Sequence, residues 1–178
     1  MSDLIQTGYK PRPPQAAIHK LVKNTRFSVC VAHRRMGKTV AAINQLIHSA
    51  LKCDKKNPRF AYIAPTYAQA KRIAFEYLLE YTRPLGGVAN VAELRVDFMG
   101  RRISLYGADN PDSLRGIYLD GCVIDEVGDV SPSLFTDVIR PTLADRIGWS
   151  LFIGTPKGAT FFKELRDRAD NPKDKTWG

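Results

Sequence analysis

The stretch VAHRRMGKTVAA, residues 31–42, constrains the fold more than any other part of the chain. It follows an apolar run, FSVCVA at 27–32, and leads into residues 38–52, where Val40, Ile43, Leu46, Ile47 and Leu51 fall on one helical stripe. A strand, a tight loop and a helix in this order aim the helix's unpaired N–H groups and its dipole at the loop, which suits a bound anion. The loop closes on Gly37-Lys38-Thr39, the end of the phosphate-cradling pattern GxxxxGK[ST]. In that pattern Lys38 reaches the β- and γ-phosphates and the Thr39 hydroxyl binds Mg²⁺. The pattern's first glycine is replaced by Ala32, the smallest substitute, and the loop interior carries His33, Arg34 and Arg35.

The rest of the chain repeats the alternation. RFAYIA at 59–64 reads as a second buried strand and residues 67–82 as a second helix. Residues 92–107 read as two short alternating strands turning at Met99-Gly100. GCVIDEV at 121–127 begins as a strand, Ser131-Pro132 opens a helix, WSLFIG at 149–154 is a further strand, and a helix follows over 159–168. Before the first strand, the proline-rich YKPRPPQ is an extended arm leading into a short helix over 15–24. Strands alternating with helices predict a three-layer α/β domain around a mainly parallel sheet. The expected organisation is an arm and short helix over 1–26, a core over 27–169, and a flexible tail over 170–178.

Two further motifs end apolar strands. In CVIDE, Asp125 stands where it can hold hydrated Mg²⁺, and Glu126 where it can orient and polarise an attacking water. In LFIGTPKG, Gly154-Thr155-Pro156 closes a strand; alone this is turn chemistry, and beside Asp125 a polar strand tip can sense the γ-phosphate. Lys and Arg total 27 against 18 Asp and Glu, a net charge of +9 that favours a polyanionic partner. No apolar run approaches the ~20 residues that span a bilayer, so no membrane partner is expected. Cys30, Cys53 and Cys122 lack metal-ligand spacing and read as reduced thiols, Cys30 and Cys122 as small core residues.

Taken in order, these motifs resemble the large terminase subunits of tailed double-stranded DNA phages, over residues 13–162. AHRRMGKT is similar to that family's deviant Walker A, CVIDE to its Walker B with catalytic glutamate, and GTP to its coupling motif. IAPTYAQAKR at 63–72 resembles a segment shared with helicases, and NPDSLRG at 110–116 the family's Arg-Gly segment. The resemblance implies a P-loop NTPase of the RecA/ASCE type that binds ATP and Mg²⁺ through Ala32, His33, Met36, Gly37, Lys38, Thr39, Val40 and Asp125. It implies that Gln15 contacts adenine and that Glu126 is catalytic. Arg34 or Arg35 becomes an arginine finger within the subunit, with Arg34 favoured by loop position. Arg115 is implied to act across a subunit boundary or on DNA. The implied function is ATP-driven translocation of double-stranded viral DNA into a procapsid, by a homo-oligomeric ring on the phage portal. The small terminase subunit is the implied partner, and the infected host's cytoplasm the location. Lys71, Arg72, Arg101 and Arg102 are candidates to grip duplex phosphates, or simply solvated charges.

Large terminases usually carry a C-terminal nuclease domain, and the residues after Phe162 are too few for one, so no nuclease activity is expected of this chain. Two other readings stay open. One is the motor domain of a superfamily 2 helicase-like translocase, and the other a non-catalytic DNA-binding module with a degenerate nucleotide site.

Overall fold

The computed structural model describes residues 7–33, 35–155, 161–171 and 173–178. Helix α1 (Pro13–Asn24) leads into β1 (Phe27–Val31) and α2 (Lys38–Lys52). β2 (Arg59–Ala64) feeds a composite helix α3, α-helical at Tyr67–Gln69, π-helical at Ala70–Phe75 and α-helical again at Glu76–Thr82. Next come β3 (Val88–Asn90), β4 (Arg95–Phe98), β5 (Arg101–Gly107) and β6 (Gly121–Ile124). Helix α4 is π-helical at Leu134–Ile139 and α-helical at Arg140–Ala144; β7 (Trp149–Gly154) and α5 (Phe161–Ala169) complete the order.

The strands form one sheet in the order β1-β7-β6-β2-β5-β4-β3. Pairing is parallel from β1 through to β5 and antiparallel for β5-β4-β3. All four residues of β6 and five of the six in β2 and in β7 are buried, because helices cover both faces of the parallel part. On one face Ile43, Leu46 and Ile47 of α2 pack with Phe60, Tyr62 and Leu78. On the other, Phe135 and Ile139 of α4 pack with Phe152 and Phe162. This is the expected three-layer α/β arrangement with a mainly parallel sheet.

The β4–β5 hairpin turns where the sequence places it, with Met99 at φ 48° and Gly100 at φ 74°, the left-handed pair that matches strand twist. The short edge strand β3 was not expected; three residues with no alternation leave no pattern to read. The π-helical stretch of α4 precedes Pro141, which has no N–H to give and whose ring would clash with a carbonyl four residues back in a regular helix.

The sequence predicts a flexible tail over 170–178, and here the structure differs. Thr176 and Gly178 run beside the β1 edge: Phe27 N–H donates to Thr176 O at 2.8 Å and Gly178 N–H to Phe27 O at 3.0 Å. Trp177 is 5% exposed, stacks on Phe152 with centroids 5.7 Å apart, and lies 5.0 Å from Phe27. Its polar neighbours hide one aromatic anchor large enough to hold the segment down. Cys122 is fully buried as expected, which pushes its thiol up to about 12; Cys30 is half-buried against the core on the other face of the sheet.

Replacing Trp177 by alanine should lower the unfolding free energy by about 3 kcal/mol and Tm by roughly 6–12 °C. Thermal denaturation followed by circular dichroism checks this, and an unchanged Tm would mean the tail is not docked in solution.

Candidate nucleotide-binding site

Because β7 lies between β1 and β6 and all three run parallel, the segments that leave them meet at the carboxyl edge of the sheet. Three motifs that begin at residues 32, 122 and 154 of the sequence are thereby brought to one edge.

The loop after β1 begins at Ala32, whose N–H donates to Gly154 O at 3.1 Å. Ala32 is buried and has no positive φ, so the pattern's first glycine position makes no demand that alanine fails to meet. Gly37 does need glycine. Its φ is 83°, and a Cβ there would sit 2.6 Å from Arg12 Nη2 and 2.7 Å from Gln15 Nε2. Those two side chains reach down from the N-terminal arm and α1 onto the loop. Arg12 Nη2 donates to Met36 O at 2.7 Å and Gln15 Nε2 to Gly37 O at 3.1 Å. Gln15 Oε1 also accepts from Arg12 N at 2.9 Å, closing the start of α1. Gln15 thus arrives at the loop, as the sequence suggests, but its amide is committed to backbone groups and it is 4% exposed. Arg12 as a brace was missed, since no local pattern announces a contact 24 residues away.

Lys38, the first residue of α2, is 8% exposed. Its ammonium donates to Ala32 O at 3.0 Å, His33 O at 3.2 Å and Thr155 Oγ1 at 3.3 Å. The Thr155 hydroxyl in turn donates to Glu126 Oε1, and its N–H to Glu126 Oε2, both at 3.4 Å. One hydroxyl therefore joins the lysine of the loop to the glutamate after β6.

Asp125 continues the β2–β6 pairing, its N–H donating to Ile63 O at 2.8 Å. Its carboxylate is 7% exposed and accepts from the Tyr62 hydroxyl and, at 2.8 Å, from Glu126 N–H. The Thr39 side chain lies beside the Tyr62 hydroxyl, where it favours ionisation less than burial and the Asp125 charge oppose it. Burial holds the Asp125 carboxyl above the usual carboxylate range, against the lowering effect of the bonds from Tyr62 and Glu126 N–H. Burial, then the Asp125 charge, pushes the Tyr62 hydroxyl well above its ordinary value, so it stays a donor. Tyr62 reads in the sequence only as a core strand residue. Glu126 is half-buried at φ 44°, ψ 48°, a left-handed conformation that costs a non-glycine residue about 1–2 kcal/mol.

Gly37, Lys38, Thr39, Asp125 and Glu126 line a cavity of about 390 Å³, together with Arg35, Met36 and Val40 and with Ile73 and Tyr77 of α3. Neither α3 residue was expected there. Ile73 lies in the π-helical stretch, and no sequence signal marks where such a stretch begins. Among the described residues no three His, Cys, Asp or Glu gather as a metal cluster. What the site offers instead is the Asp125 carboxylate, bonded by Tyr62, and the Thr39 hydroxyl beside the same phenol. These hard oxygen donors suit Mg²⁺, which keeps several waters and takes other ligands from phosphates.

Several candidates stand elsewhere. Arg34 and Pro156 lie outside the described residues. His33 is exposed and joins the site through its carbonyl. Arg115 is exposed on the turn after β5, paired with Asp112 at 3.0 Å, and does not line the cavity. Arg101 is no free cation: it donates to Ala50 O at 2.6 Å and Leu51 O at 3.2 Å, satisfying the end of α2. Arg102 pairs with Asp97 at 2.7 Å. Lys71 and Arg72 are exposed on α3.

No protein-family model matches the chain. It is 31% identical over 180 residues to the terminase large subunit of Thermus phage G20c, an alignment covering 89% of this chain and 36% of that protein. The chain thus spans little more than a third of that relative's length. Among solved structures, the large terminase ATPase domain of Thermus phage P74-26 matches at a TM-score of 0.80 and 29% identity, covering 91% of this chain and 71% of that one. The large terminase of another thermophilic bacteriophage, solved in complex with ADP, matches at a TM-score of 0.63 and 18% identity, covering 80% and 38%; there the likeness is one of fold.

The raised carboxyl of Asp125 has a consequence for stability. The native state binds that proton more tightly than the unfolded chain, so its contribution is favourable at low pH and is lost as pH rises through the native value. Asp125→Asn removes the penalty of a buried charge. The Tm of this variant relative to wild type should therefore climb as pH rises from the ordinary carboxylate range, about 4, toward neutrality. A difference that stays flat or falls across that range would contradict the burial argument.

Proposed function

From a chain that is a homologue of phage terminase large subunits, over the stretch that folds as their ATPase domain, we propose that it is the ATPase of a DNA-packaging motor. The observation that carries this reading is the Lys38–Thr155–Glu126 link beside a buried Asp125, because it joins the third motif to the two that line one cavity.

On this reading the ATP phosphates lie over the loop, against the N-terminus of α2. Lys38 gives up its bonds to loop carbonyls for the more strongly attracting phosphate oxygens. Thr39 and Asp125 hold Mg²⁺, which would offset charge developing on the phosphates. Glu126, fixed by Thr155, polarises a water for in-line attack on the γ-phosphate. Arg34 or Arg35 spreads transition-state charge, since a guanidinium is always ionised and forks onto phosphate oxygens. Arg12 and Gln15 keep the loop's shape from outside, and Gln15 is the candidate contact for adenine. Loss of the γ-phosphate releases Lys38 to Thr155, so that the segment after β7 registers the nucleotide state.

The partners on this reading are double-stranded DNA, other copies in a ring on the phage portal, and the small terminase subunit. The setting is the cytoplasm of the infected host. On this reading Arg115, exposed and paired with Asp112, is the candidate to act on a neighbouring subunit or on the DNA.

Steady-state ATP hydrolysis with Mg²⁺, measured with nucleotide binding, tests the proposal. Glu126→Ala should bind ATP and lose about 10²–10⁴ in turnover. Of Arg34→Ala and Arg35→Ala, the finger variant should lose about 10³–10⁵ and the other far less. A wild-type chain that binds no ATP would overturn the reading, and normal turnover by Glu126→Ala would remove that residue from it.

A further inference from the structure

The amino edge of the sheet, opposite the nucleotide site, carries a second and larger cavity of about 640 Å³. Its floor is apolar: Val22 of α1, Phe60 at the start of β2, Trp149 at the start of β7, and Ile147 just before it. Its rim is cationic, with Lys20 and Lys23 from α1, Lys52 from the end of α2, and Lys55. The one carboxylate among the described lining residues, Asp120, is turned inward, bound by Arg146 at 2.9 Å, Lys55 at 3.5 Å and the N–H of Arg59 at 3.0 Å. Lys20, Lys23 and Lys52 are left with no ion-pair partner among the described residues.

Helix dipoles do not account for this charge. Lys23 and Lys52 sit in the last turns of α1 and α2, where each helix end presents roughly half a negative charge. Two helix ends offset about one lysine. An excess remains, facing an apolar floor.

Ile147 makes the case sharper. It is 75% exposed and holds φ 49°, a left-handed conformation at the end of α4 that favours glycine and is costly for a β-branched side chain. The backbone there closes α4, Ile147 N–H donating to Ala144 O at 3.1 Å and Gly148 N–H to Leu143 O at 2.8 Å. A glycine would serve that turn, and the exposed isoleucine side chain gains no packing within the domain. Beside it Trp149 lies flat on Gly121, where a Cβ would sit 2.4 Å from the ring, and keeps part of its indole open to the groove. A strained aliphatic side chain and a part-exposed indole, ringed by unpaired ammonium groups, complement a large apolar side chain flanked by carboxylates. A duplex backbone would meet the lysines but leave the concave apolar floor unfilled.

We propose that this groove docks an acidic peptide segment of a partner protein, inserting an apolar side chain between Ile147 and Trp149 while its carboxylates pair with Lys20, Lys23 and Lys52. The site is separate from the nucleotide cavity and does not rest on the ATPase reading.

The test is fluorescence anisotropy of a labelled hexapeptide with Leu-Phe at its centre and two acidic residues on each side. The wild-type chain should bind it saturably. The double variant Lys20→Glu/Lys52→Glu should bind about tenfold or more weakly, and a peptide with Gly-Ser at its centre should lose a similar factor. Ile147→Gly relieves backbone strain, so it should keep or raise Tm while weakening the peptide severalfold. Failure of the wild-type chain to saturate, or equal affinity of the wild-type chain and the double variant, overturns the proposal. So does a short DNA duplex that binds through Lys20 and Lys52 while the peptide does not. Nucleotide binding by these variants should equal that of wild type, which keeps this result separate from any failure of the ATPase reading.

Discussion

Asp125 holds a carboxylate where water scarcely reaches it, and a buried carboxylate is tolerated only if the fold brings hydrogen-bond donors to it. Here one donor comes from β2, as Tyr62, and one from the backbone of Glu126, which lies at a strained φ to supply it. The Tyr62 hydroxyl also lies beside the Thr39 side chain at the start of α2. The carboxylate therefore fixes the relative positions of β2, β6 and the phosphate loop. Each of these strands must be parallel and must end at the same edge for the arrangement to exist. The sheet order and the site are in this sense one constraint.

That constraint also explains the nature of the residues around it. Tyr62 sits deep in the apolar core and still carries a hydroxyl, because a phenylalanine there would leave Asp125 short of a partner. Gly37 has no side chain because Arg12 and Gln15 occupy the space one would need. Ala32, by contrast, replaces the expected glycine without strain. The apparent defect in the loop is a position where the backbone does not require glycine, as its φ shows directly.

How much of this was legible beforehand depends on how local each signal is. β2, β7, α2 and the Met99-Gly100 hairpin fall where the sequence puts them, since each rests on a short apolar run, a helical stripe or a turn pair. Lys38, Thr39, Asp125 and Glu126 were also readable, as motifs at strand ends. Arg12, Tyr62, Ile73 and Tyr77 were not. They enter through contacts between segments dozens of residues apart, or through a π-helical turn that shifts a helix face, and neither leaves a periodic trace. Arg101 shows the converse error: a charged turn suggests a phosphate contact, yet its guanidinium is used to close the end of α2. Trp177 shows it again, one aromatic residue outweighing eight polar or small neighbours in deciding whether the tail docks.

The lengths of the bonds around Thr155 suggest how the site communicates with the chain beyond β7. Lys38 is held at 3.0 Å by the Ala32 carbonyl but only at 3.3 Å by Thr155, and both Thr155–Glu126 bonds are 3.4 Å. Bonds at that distance lie at the weak end of the range and cost little to exchange. The strong contact anchors the lysine to its own loop, whereas the weak ones join it to β7 and to the glutamate. A γ-phosphate oxygen drawing Lys38 and a polarised water drawing Glu126 would both pull on Thr155 at once. Thr155 follows directly on β7, a strand paired in parallel with both β1 and β6. On the proposed reading that pull meets a strand held on both sides, so Thr155 is the point at which the end of β7 would register the nucleotide.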